Sequence, residues 1–197
     1  MGPTPAPESK PARLEISGGK SAYIKPVRSI VSQARSHQIV VEHSQRKKTS
    51  NLTVYKVPNK RDKSVSMAFC FELRKKKYFP VVERDSENKM SLKIQAQNEP
   101  KKFSERFLFR WAENNGEYGS LCSVAEPSQY LCVCKNQVTI SSNPDLGFRV
   151  QFLESSTKNL NAQSAQQWHR GGARRACKAF RAEEGPAVGG HQRRSKN

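Results

Sequence analysis

Between residues 12 and 153 apolar and polar positions form short apolar or alternating runs separated by turn-rich stretches. A period of two sends successive side chains to opposite faces of a strand, so the pattern predicts an all-β domain rather than helices. Twelve such runs are present: "ARLEI" from Ala12, "AYIKPVRSIV" from Ala22, "QIVVE" from Gln38, "LTVYKV" from Leu52, "MAFCFEL" from Met67, "KYFPVV" from Lys77, "MSLKIQ" from Met90, "RFLFRW" from Arg106, "GSLCSV" from Gly119, "QYLCVC" from Gln129, "QVTI" from Gln137 and "FRVQFL" from Phe148. Pro26 and Pro80 lie inside two of them and mark edges, bends or barrel mouths, because proline has no N–H to give to a ladder.

The runs repeat in fours. Tyr23, Tyr78 and Tyr130 sit near the start of a strand at spacings of 55 and 52 residues, and Leu14, Phe69 and Leu121, one strand earlier, keep the same spacings. Three units of four strands predict a β-trefoil with pseudo-threefold symmetry, in which six strands close a barrel and six form hairpins across one end. A two-layer sandwich is the competing arrangement. The expected core is Leu14, Phe69, Phe71, Leu92, Ile94, Phe107, Phe109, Leu121, Leu131, Val138, Ile140, Val150 and Phe152, with Phe107 and Phe109 on one face of their strand and Leu108 and Arg110 on the other.

Composition changes the picture at the ends. Residues 1–11 hold four of the eleven prolines and read as a flexible leader, residues 12–155 as the β domain, and residues 156–197 as a basic tail without an apolar period. Lys and Arg total 35 against 17 acidic residues, a net charge of +18 that favours acidic partners. The N-terminal segment lacks the apolar run of a secretory signal, and no stretch approaches the roughly 20 apolar residues of a membrane helix. The expectation is a chain made in the cytosol that does not insert into membranes.

Candidate chemistry is sparse. The five cysteines, Cys70, Cys122, Cys132, Cys134 and Cys177, include no Cys-x-x-Cys, and the four histidines, His37, His43, His169 and His191, stand at no zinc-finger spacing, so neither a metal nor another cofactor is expected. There is no phosphate loop, no nucleophile elbow and no zinc-protease helix, and the chain reads as a non-enzyme. Cys132 and Cys134, two apart on one strand, share a face, which makes a disulfide between them geometrically poor. They read as small apolar side chains of a protein folded under reducing conditions. Basic stretches at residues 45–51, 59–63 and 74–77 read either as solvated turns or as a joint patch for a polyanion.

"RFLFRWAENNGEYGSLCSVAEPSQYLCVC" resembles the signature region of the interleukin-1 family of cytokines, in which a Phe-x-Phe strand is followed by Ser-Ala/Val-Ala-x-Pro-x-x-Phe/Tyr-Leu/Ile-Cys/Ala. Phe107 and Phe109 match the first part, and Ser123, Val124, Ala125, Pro127, Tyr130, Leu131 and Cys132 the second. The likeness extends from about Met67 to Glu154. It departs at Glu126, where the family usually has an aromatic residue, and at Gln129, Val133 and Leu121. The resemblance implies a monomeric β-trefoil cytokine, released without a signal peptide from a cytoplasmic precursor pool, that acts outside the cell in inflammatory and immune responses. Its implied partners are an immunoglobulin-type receptor ectodomain and an accessory receptor chain. Contacts carried over by position are Arg13, Lys25, Lys75, Lys76, Lys77, Lys101, Lys102, Lys135 and Asn136. The alternative is a trefoil that grips heparan sulfate or another glycosaminoglycan, or nucleic acid, through its basic loops. A lectin-like trefoil is disfavoured because the repeated Gln-x-Trp of such sugar binders is missing.

Overall fold

The apolar and alternating runs become strands, apart from the start of "RFLFRW", in the described part of the chain, residues 7–28, 35–43, 51–59 and 63–154 of a computed structural model. The twelve strands are β1 (Glu8–Ile16), β2 (Lys20–Arg28), β3 (Arg35–His43), β4 (Asn51–Pro58), β5 (Val65–Leu73), β6 (Lys76–Arg84), β7 (Met90–Ala96), β8 (Phe109–Asn114), β9 (Gly119–Ser123), β10 (Tyr130–Cys134), β11 (Gln137–Ser141) and β12 (Phe148–Phe152), and a single 3-10 turn spans Glu105–Phe107. The first strand starts at Glu8 rather than Ala12, because Glu8 to Ala12 pair with Lys56 to Leu52 of β4. The expected tail, with Cys177, His169 and His191, lies outside the described residues, as do residues 1–6, 29–34 with the end of the run "AYIKPVRSIV", 44–50 and 60–62.

All pairing is antiparallel, and it closes on itself. β1 pairs with β4, β4 with β5, β5 with β8, β8 with β9, β9 with β12, and β12 with β1 again. The other six strands form the hairpins β2–β3, β6–β7 and β10–β11. Each hairpin is tied to the ring through its first strand, in the pairs β1–β2, β5–β6 and β9–β10. Every one of these pairing types recurs when the strand number advances by four; the one addition is β3–β11, through Val40 and Gln137. A ring with no free edge leaves nothing for another chain to extend. Pro26 and Pro80 sit in hairpin strands: opposite His37 and Ile94 respectively, each lies beyond the last pair that joins its strand to the ring.

The spacings seen in the sequence fare differently. Leu14, Phe69 and Leu121 lie on the ring strands β1, β5 and β9, opposite Val150, Val54 and Trp111, and all three are buried in one cluster with Phe71, Phe109, Leu131 and Phe148. Tyr23, Tyr78 and Tyr130 fall on the corresponding hairpin strands, but in different registers. Tyr78 faces Phe71, Tyr130 faces Cys122, and Tyr23 lies past the last β1–β2 pair.

A second buried cluster lies outside the central one. It comprises Tyr55, Ala68, Cys70, Phe79, Val81, Phe103, Phe107 and Leu108. Its existence explains the unbroken apolar run of β5: Met67, Phe69 and Phe71 face the central cluster while Ala68 and Cys70 face the second. A strand covered on both faces has no polar side to show. Phe107 therefore departs from expectation. It belongs to the 3-10 turn, not to a strand, and packs edge-on against Phe79 at 6.0 Å, with Leu108 beside it in the second cluster rather than on an opposite face. Phe152 is the other departure, being 37% exposed near the end of β12 with the Lys56 ammonium 4.5 Å above its ring. Leu92, Ile94, Ile140 and Val150 pack against the central cluster while remaining partly exposed.

Candidate functional site

The motif residues build a scaffold first. Phe109 and Leu131 are in the central cluster, and Ser123 closes the loop that follows β9. The Ser123 N–H donates to the Gln129 carbonyl at 2.9 Å, its hydroxyl accepts from the Glu126 N–H at 3.2 Å, and the Gln129 N–H donates back to the Glu126 carbonyl at 2.9 Å. A short side chain that can reach its own turn is what this position requires, and serine supplies it. The Val124 N–H donates to the Leu108 carbonyl, which ties the loop to the second cluster. Ala125 is half-buried and Pro127 exposed. Pro127 and Tyr130 line an open groove of about 400 Å³ with Ser64, Val65, Arg110, Trp111, Ala112 and Cys122.

Cys132 and Cys134 share a face, and it is the outer one. Leu131 is buried and Val133 packs against the core, so Cys132 is left half-buried and Cys134 exposed, both as free thiols. Burial raises the Cys132 thiol pKa above its ordinary value, with Asp145 and Cys134 adding to it. Cys70, inside the second cluster, is pushed up to about 11, chiefly by burial. A raised pKa lowers the thiolate fraction and with it the reactivity.

The nine carried-over contact residues divide by position. Lys75 lies in the β5–β6 turn, and Lys76 and Lys77 open β6. Lys101 and Lys102 are exposed in the bend after β7. These two segments are brought together by Glu99, whose carboxylate accepts from Lys77 Nζ at 2.9 Å and also from the Tyr55 hydroxyl, while the Gln97 N–H donates to the Lys77 carbonyl at 3.2 Å. Lys77, and after it Tyr55, hold Glu99 below the usual carboxylate range against the opposing effect of burial. Lys135 and Asn136 form the β10–β11 turn, where Asn136 accepts from the Val41 N–H and from Lys20 Nζ. Lys25, on β2, stands 3.7 Å from Glu42. Arg13 is separate: it sits on β1 opposite Gln151, with its Nε buried and without a hydrogen-bond partner.

Further residues join the hairpins to one another and carried no sequence signal for it. The His37 ring lies 4.1 Å from that of Tyr78, and Gln137 Nε2 donates to Gln38 Oε1 across β3 and β11. Burial and the nearby Lys76 charge lower the pKa of His37. Arg74 was visible in the basic run "RKKK", and it shares the β5–β6 turn with Lys75.

Electrostatic pairing is uneven over the surface. Arg149 forks between Glu15 and Glu117, Arg84 pairs with Glu126, and Arg106 and Lys93 share Glu83. By contrast, Arg74, Lys75, Lys76, Lys101 and Lys102 form no ion pair with any described residue. Comparison with protein-family models and with curated proteins found no match to this chain.

Proposed function

We propose that the chain is a β-trefoil recognition protein of the interleukin-1 type, which binds the ectodomain of an immunoglobulin-type receptor and thereby signals, or blocks signalling, in immune and inflammatory responses. The observation that carries the reading is the connectivity: a closed six-strand ring and three hairpins whose pairings repeat every four strands. The motif region adds support, because its Ser123–Gln129 loop is tied to the second cluster through Val124 and Leu108 and presents Pro127 and Tyr130 at a groove.

On this reading function is recognition, without chemistry on a substrate. Rigid strands hold the hairpin turns in place, and affinity comes from a few anchors within an interface of about 1,600 Å². The turns at Lys75 and at Lys135–Asn136, with Lys25 and Arg13 on the strands, are the proposed contacts. Release is proposed to occur without a signal peptide, from a cytoplasmic pool.

The test is surface-plasmon resonance against a panel of immunoglobulin-type receptor ectodomains, with and without an accessory chain. Saturable binding to one ectodomain is expected, weakened at least about tenfold when Lys135→Glu and Asn136→Ala are combined, as for loss of a hot-spot turn. Its dependence on salt should be mild, since a packed interface relies less on counterion release than a polyanion complex does. No saturable binding across the panel, or a high-resolution structure in which no threefold relation superposes Leu14, Phe69 and Leu121, would remove the reading.

A further inference from the structure

We propose that the β5–β6 turn and the segment that follows β7 form one binding site for a sulfated polysaccharide, with Arg74, Lys75, Lys76, Lys101 and Lys102 as its cationic contacts. The site stands on geometry and charge and needs no receptor to operate.

Segment 97–102 is pinned beside β6 by the Lys77–Glu99 pair, by the Gln97 N–H on the Lys77 carbonyl, and by Phe103, whose buried ring lies 5.1 Å from Tyr55 and 5.9 Å from Phe79. Lys101 follows Glu99 by two residues and Lys75 precedes Lys77 by two. At about 3.5 Å per residue of chain, the backbones of all five cations fall within roughly 20 Å of the Lys77–Glu99 bridge. Consecutive residues within each segment are about 3.5 Å apart along the chain, inside the Debye length of about 8 Å at physiological ionic strength, so charges add within each segment, and a polyanion that crosses the bridge meets both.

The carboxylates nearby do not cancel the patch. Glu99 is taken by Lys77, Glu72 stands opposite Lys77 across the hairpin, and Glu105 lies three residues past Lys102. The five cations of this patch have no ionic partner among the described residues, unlike Arg84, Arg106 and Arg149; Lys56, Lys63 and Lys89 also have none, and what sets the five apart is that two pinned segments hold them together. The turn also carries a conformational penalty. Arg74 and Lys75 hold φ of +52° and +64°, the left-handed region that Asn-Gly fills at far lower cost in a two-residue hairpin.

Ring chemistry chooses among polyanions. Single-stranded nucleic acid is gripped by exposed aromatic faces on which bases stack, interleaved with basic residues. The aromatic side chains at this site, Tyr55, Tyr78, Phe79 and Phe103, are all buried. A row of cations without a stacking platform suits sulfate groups along a flexible chain.

The experiment is affinity for a heparin decasaccharide, measured with the full chain at about 0.15 M salt and across a salt titration. The site variant combines Lys75→Ala, Lys76→Ala, Lys101→Ala and Lys102→Ala, and the control removes the same charge elsewhere through Lys10→Ala, Lys56→Ala, Lys63→Ala and Lys89→Ala. Seven of the eight positions are exposed and Lys56 is half-buried, and matched thermal unfolding midpoints establish that both variants fold. The expected result is a loss of about 30-fold or more in the site variant with a shallower salt slope, against less than about threefold in the control. Equal losses in the two variants would overturn the proposal, since binding would then follow net charge alone. Equal affinity for unsulfated heparosan would overturn sulfate as the recognised group. Tighter site-dependent binding of single- or double-stranded nucleic acid than of heparin would replace the proposed partner.

Discussion

Phe69, in the unbroken apolar run of β5, is fully buried, whereas Phe152, in the alternating run of β12, is 37% exposed. Phe69 lies between Phe109, at 5.8 Å ring to ring, and its partner Val54. Phe152 sits opposite Ala12, whose methyl group covers little of a ring. Phe69→Ala should therefore lower stability by about 3–5 kcal/mol, through lost transfer energy and the cavity left behind. Phe152→Ser should cost less, about 1 kcal/mol, through the Lys56 contact and partial cover of the ring. Urea unfolding of the two variants checks the contrast, and equal losses would mean that Phe152 is covered in solution. Alternation in "FRVQF" put Val150 and Phe152 in the core, whereas Phe148, on the same face and not expected there, is the fully buried one. It could not say how far along that face the cover extends, because cover comes from other strands. Cys132 and Cys134 obey the same limit: their shared face follows from spacing, but that it is the outer one depends on Leu131 and Val133 pointing at a core built elsewhere.

Strand existence was legible because each strand owes its alternation to a half-buried sheet, and elements that depart from that condition were read less well. β5 shows no alternation, since the segment from Glu99 to Leu108 covers its second face, and that segment, mostly irregular, leaves no periodic trace. The basic patch was half visible for the same reason. "RKKK" announces itself as a run, whereas its union with Lys101 and Lys102 depends on long-range contacts: the Lys77–Glu99 pair, the Gln97 N–H on the Lys77 carbonyl and the buried Phe103 ring. The β8–β9 hairpin holds a further hidden feature. Trp111 pairs with Leu121 and Glu113 with Ser120, so β8 carries an extra residue at that point. Such a bulge bends the strand. It brings the Glu113 carbonyl and the Trp111 ring so close to Gly119 that a Cβ there would lie 2.4 Å and 2.9 Å from them. Backbone cannot withdraw as a flexible side chain can. Gly119→Ala should cost about 1–3 kcal/mol, with a shift in tryptophan fluorescence as the ring is displaced. A variant as stable as the parent, with an unchanged emission maximum, would show that the hairpin relaxes freely and that the bulge is not what fixes glycine there.

On the scale of the whole molecule, stability hangs on the closure that joins the two ends of the described chain. Ala12 to Ile16 of β1 pair with Phe152 to Phe148 of β12, so the last strand completes a ring begun about 140 residues earlier. Contacts so distant in sequence must overcome a large loop-closure entropy before they contribute, which predicts slow folding in the range of milliseconds to seconds. They also make the C-terminal boundary of the folding unit sharp. A chain ending at Glu154 keeps every ring pair and both buried clusters, and should unfold in one cooperative transition at the same urea midpoint as the full chain. A chain ending at Leu146 lacks β12. It leaves β1 and β9 with unpaired edges and strips Phe148 from the central cluster, so it should lose cooperativity and aggregate. Far-UV circular dichroism against urea, with light scattering, separates the two. If truncation at Glu154 abolished the transition, residues 155–197 would be part of the folding unit. If truncation at Leu146 left it unchanged, the ring would not be what holds the fold together.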